Sequence, residues 1–174
     1  MLRILVFVLC LALSAPAMAH VTANPNTGEA GKYFETAFRV SHGCDGDPTI
    51  AVTVMFPKGI VIAKPQYKPG WLIRVKKNKL AKPVIAGHSK MVDEEFESIT
   101  WSGIDLPDDQ YDTFGVLMKL PEEAGTLYFP VIQQCRGGRH KWIQIPAQGQ
   151  SWGNLKSPAP FVKVQPSVSS GHKH

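Results

Sequence analysis

Apolar and polar positions alternate in short runs along most of this chain. Phe34, Thr36, Phe38 and Val40 fall on one face of a strand over residues 34–41, with Glu35, Ala37 and Arg39 on the other. A second strand is expected over 49–56, stopped by Pro57-Lys58-Gly59, and a third over 71–75, opened by Pro69-Gly70. A fourth covers 96–101. A fifth, over 113–120, directs Phe114, Val116, Met118 and Leu120 inward and stops at Pro121. The sixth runs over 126–134, where Pro130 calls for an edge strand or a bulge, because proline has no N–H to give a sheet ladder. The seventh covers 141–145 before Pro146, and a short one is expected at 161–164. No segment sustains a 3.6-residue stripe beyond about two turns. Seven or eight short strands divided by turn residues indicate an all-β sandwich.

The amino terminus breaks this pattern. Arg3 precedes an apolar run over residues 4–13, and Ala17-Met18-Ala19 supplies a small-x-small site, which together read as a secretory signal peptide over residues 1–19. The run is too short for a membrane span. Cleavage after Ala19 removes 19 of 174 residues and leaves 155 beginning at His20. Arg3 leaves without any acid, so the net charge falls from +5 to +4. Cys10 leaves too, and the three cysteines become two, Cys44 and Cys135. Export to an oxidising compartment makes a disulfide between them the default, tying an early strand to a late one. The first mature residue is histidine rather than cysteine, so no lipid anchor is indicated, and the expected location is periplasmic or secreted. Residues 20–165 make the domain. Residues 166–174, rich in Ser and ending His172-Lys173-His174, read as a disordered tail.

Composition narrows the function classes. The charge is diffuse, with no basic stripe interleaved with aromatics, which argues against a nucleic-acid partner. GxSxG, HExxH and CxxC patterns are absent, so the chain is not expected to be an enzyme. Met55, Met91 and Met118 are scattered, which gives no basis for a methionine-rich Cu(I) site.

The candidate chemistry arises at the cleavage point. With His20 first, its α-amine and imidazole Nδ1 can hold one metal ion as a six-membered chelate. Such a nitrogen pair suits Cu(II), which takes tetragonal N and O ligands and heads the divalent affinity order. If residues 20–24 form a strand that folds back on 33–41 about Gly28, His20 lies opposite Glu35 or Thr36, and the Glu35 carboxylate joins the site. A rival set, Cys135-Arg-Gly-Gly-Arg-His140, has the outline of a blue-copper loop, but it lacks a following methionine and its cysteine is expected in the disulfide. His172 and His174 offer a weak copper site in the tail, while His42 and His88 read as surface positions.

His20-Val-Thr-Ala-Asn-Pro25, Tyr33-Phe-Glu-Thr36, Pro69-Gly70-Trp71 and Ile99-Thr-Trp101, in this order and spacing, resemble the YcnI-like copper-binding domain family of secreted bacterial proteins. His42-Gly-Cys-Asp45 with Gln134-Cys135 is similar to its disulfide-bearing branch. The resemblance implies an immunoglobulin- or cupredoxin-like sandwich. It also implies Cu(II) held by a single-histidine brace of His20 and Glu35, with Trp71 beside the metal but not a firm ligand. The expected role is then periplasmic copper homeostasis or trafficking, with transfer to another periplasmic copper carrier or an inner-membrane copper importer. Two other readings compete with it: a copper-dependent oxidase or monooxygenase, which needs a second histidine at the ion, and a metal-free interaction domain.

Overall fold

The computed structural model describes residues 20–87 and 90–167. The expected signal peptide, His88 and the His172/His174 pair lie outside the described residues. Twelve strands form, with one 3-10 turn and no α-helix among the described residues. They are β1 (Thr22–Asn24), β2 (Thr27–Glu29), β3 (Tyr33–Val40), β4 (Thr49–Met55), β5 (Ala63–Pro65), β6 (Leu72–Ala86), β7 (Lys90–Leu106), β8 (Asp112–Lys119), β9 (Gly125–Tyr128), β10 (Val131–Cys135), β11 (Arg139–Trp142) and β12 (Phe161–Gln165).

One sheet has the order β1-β3-β8-β5, a second β11-β10-β4-β7-β6, and a third, smaller one β2-β12-β9. The alternation predicts the inward faces well: Phe38, Val40, Phe114, Val116 and Met118 are fully buried. They share one core with Val52, Val54, Ile99 and Trp101 of the second sheet and Val162 and Val164 of the third. Burying residues of this size contributes roughly 1.5–3 kcal/mol each, so the two inner faces dominate the stability of the sandwich.

The strand count exceeds the expected seven or eight for two physical reasons. Three-residue strands such as β1, β2 and β5 are too short to show an alternation. The expected sixth strand is instead two: it breaks at Phe129-Pro130, with β9 joining the third sheet and β10 the second. The third and fourth strands are far longer than their apolar runs. β6 and β7 extend to 15 and 17 residues as an antiparallel hairpin. Its outer part has no sustained buried stripe: charged residues mix with the exposed apolar Val84, Ile85 and Met91, and cross-strand pairs form between Lys76 and Glu97 at 2.6 Å and Lys79 and Asp93 at 2.8 Å.

The register of β1 corrects the expected hairpin. Thr22 pairs with Arg39 and Asn24 with Ala37. The reversal therefore lies near Ala30-Gly31, where Gly31 has φ +72°, and not at Gly28. β1 stops before Pro25, whose carbonyl accepts a 2.6 Å bond from Thr36 Oγ1. Residues 27–29 then leave to pair in parallel with β12. Gly28 is required there by space, since a Cβ would lie 2.6 Å from Leu120 and 2.7 Å from Phe34.

Candidate metal centre

β1 is the edge of its sheet and β11 the edge of the second. His20 lies just ahead of β1, and its ring meets Trp142 at the end of β11, with centroids 5.8 Å apart and planes at 64°. On another side stands Trp152, 5.2 Å away and nearly perpendicular. Trp152 belongs to the 3-10 turn Trp152–Asn154 and is fixed by a 2.7 Å bond from its Nε1 to the Ala159 carbonyl. Two indoles thus enclose the imidazole, which is 8% exposed. Burial pushes the His20 imidazole below its ordinary pKa, because desolvation disfavours the charged ring. The neutral ring keeps its lone pair at neutral pH, the form a metal ion requires.

Trp142 is itself held by the core. Its Nε1 donates to Gln133 Oε1 at 3.0 Å, and Gln133 is almost fully buried. Gln133 Nε2 donates to the His42 carbonyl at 2.6 Å and to Thr49 Oγ1 at 2.8 Å. Three segments that meet at the site therefore share one polar knot. Cys44 and Cys135 close the disulfide beside it, with Cα atoms 6.0 Å apart. That bond takes Cys135 out of the rival blue-copper set.

The structure does not bring the expected partners to His20. In the observed register His20 is level with Ser41, six positions from Glu35, or about 20 Å at the usual strand rise. Glu35 is exposed and faces Leu117 across β3 and β8. Placing it opposite His20 followed from a turn at Gly28 that does not form. Trp71 is buried in the core, edge-on to Phe114 at 5.0 Å, and the indoles beside His20 are those of Trp142 and Trp152. Nothing local in the sequence singles out these two. Trp142 sits in an ordinary strand, and Trp152 lies in a stretch that reads as loop. The meeting of two sheet edges brings Trp142 to His20, and the 3-10 turn, tied to Ala159, brings Trp152.

His42 is half-buried rather than a free surface residue, and its ring lies 6.4 Å from that of His140. His140 in turn lies 5.5 Å from Trp142. Among the described residues no three His, Cys, Asp or Glu side chains converge as a metal cluster. The site instead offers one imidazole in an indole cage, and the α-amine of His20 if the chain is cut before it.

A family profile described as a domain of unknown function (DUF1775) matches residues 20–164. The chain is 24% identical over 147 residues to the copper-binding protein CutI of Bacillus subtilis (strain 168), covering 79% of this chain and 65% of that protein. The chain thus spans about two-thirds of its curated relative. Among solved structures, an uncharacterized protein from Nocardia farcinica with an immunoglobulin-like fold superposes with a TM-score of 0.65 and 29% identity, over 84% of this chain and 98% of that one.

Proposed function

Because this chain belongs to the DUF1775 family, the YcnI family, we propose that it is an extracytoplasmic Cu(II)-binding protein of copper homeostasis or trafficking, with the metal held at His20 once cleavage after Ala19 exposes the α-amine. The observation that carries the reading is the buried, neutral imidazole of His20 enclosed by Trp142 and Trp152. The relative named copper-binding supports the choice of ion.

His20 Nδ1 and the α-amine supply two nitrogens, and the remaining positions are open to water or to a ligand from an accepting protein. A donor set this small suits release by ligand exchange to a copper carrier or importer. The indoles are poor σ-donors; they limit water access and keep the imidazole unprotonated. This reading does not use Glu35, which the register of β1 sets six positions from the residue level with His20. The oxidase reading needs a second imidazole on the same ion, and the rings that touch His20 are indoles.

The test is tryptophan emission during Cu(II) titration of protein whose first residue is verified as His20 by mass spectrometry. Quenching should saturate at one equivalent and weaken in Trp142→Phe and Trp152→Phe. A form with one alanine added before His20 should lose it. Equal quenching with and without the added alanine overturns the reading.

A further inference from the structure

We propose that His42 and His140 form a second metal site, a two-imidazole site for Cu(I), beside the His20 centre and independent of it. The two rings stand 6.4 Å apart at 79°. An imidazole nitrogen lies roughly 1.1 Å from its ring centre and binds Zn²⁺ at about 2.0–2.1 Å, and two-coordinate Cu(I) slightly closer. Two imidazoles on one ion therefore reach centroid separations near 6.4 Å only when the N–metal–N angle approaches linear. Near-linear coordination by two neutral nitrogens belongs to Cu(I). A tetrahedral Zn²⁺ would need closer rings and two more ligands, and no third His, Cys, Asp or Glu completes such a group among the described residues.

The tautomer of His42 is set for this role. Its Nδ1 lies 2.6 Å from the Gly43 carbonyl, which can only accept. Nδ1 therefore carries the proton and donates, leaving the Nε2 lone pair free, as in histidines whose second nitrogen is oriented by a backbone carbonyl. The backbone of His42 is anchored by Gln133, and the disulfide lies two residues further on. His140 is placed by the β10–β11 ladder, opposite Gln133. The Cys44–Cys135 bond thus clamps the two segments that present the rings. Trp142, against His140, borders both sites.

The site is tested by anaerobic Cu(I) titration against a chromophoric Cu(I) chelator. The full-length exported chain would carry an alanine before His20, with His172→Gln and His174→Gln, so that the amino-terminal brace and the tail do not contribute. This protein should still bind one Cu(I), with an X-ray absorption edge of a two-coordinate ion and imidazole scattering. His42→Gln with His140→Gln should weaken that binding at least tenfold; glutamine at 42 can still donate to the Gly43 carbonyl. If the double variant does not fold, by near-ultraviolet circular dichroism, His140→Gln alone serves the same comparison. Unchanged Cu(I) affinity in the folded variant, or an edge of three- or four-coordinate copper, overturns the proposal. The Cu(II) response of an unblocked His20 terminus should persist in His140→Gln, which separates failure of this site from failure of the brace.

Discussion

Gln133 ties together the side chains that surround the proposed copper site at His20. It is 1% exposed and bonds to Trp142, to Thr49 and to the carbonyl of His42. Replacing it with leucine leaves buried donors and acceptors without partners, each costing about 1–3 kcal/mol. Gln133→Leu is therefore expected to lower chemical-denaturation stability by about 2 kcal/mol or more and to weaken copper quenching by loosening Trp142. His20 adds a pH dependence to the metal-free protein. Its folded-state pKa lies below the unfolded one, so its contribution is fully present above the unfolded value of about 6.5. It is lost as pH falls through the folded value, because the unfolded chain takes up the proton first. Denaturant midpoints should thus fall on acidification from pH 7.5 to 5, with a shallower fall in His20→Gln; parallel pH profiles would contradict this. At this scale the sequence singles out His20 through an expected cleavage site, a signal that is read locally. The position of Glu35 relative to His20 and the packing of Trp71 against Phe114 were not legible, because they depend on a strand register and on core packing that no local spacing encodes.

Elements with a clear period-2 face were readable: β3, β4, β8 and β12 lie close to where alternation puts them. The long β6–β7 hairpin was not, since its outer half mixes charged residues with exposed Val84, Ile85 and Met91 and is held by backbone pairing and exposed ion pairs instead of a buried stripe. Nor was the turn that sets the register of β1. Gly28 looked like its centre, yet its role is the close packing of β2 against Phe34 and Leu120. Gly28→Ala should therefore cost about 1–3 kcal/mol through overpacking, measured as a fall in the denaturant midpoint. A neutral effect would mean that β2 does not sit where the structure puts it.

In the whole molecule, the two large sheets bury a shared core and leave the edges β1 and β11 to meet around His20. The fold class was legible because strand number and turn chemistry admit few architectures. The site was not, because it exists only where edges distant in sequence converge. The disulfide constrains the same region across a separation of 91 residues. Replacing Cys44 and Cys135 with alanine is expected to cost about 2–4 kcal/mol, read as a lower Tm, and to weaken the Cu(I) site more than the His20 site, since it is the clamp on His42 that is lost. The claim on which the functional account rests is that copper is bound by the two nitrogens of a terminal His20. Electron paramagnetic resonance of protein carrying one equivalent of Cu(II) tests it most directly. The spectrum should be axial, with hyperfine structure from two nitrogens when His20 is the first residue, and should lose that signature when one residue precedes it. An identical two-nitrogen spectrum from both forms would contradict the account.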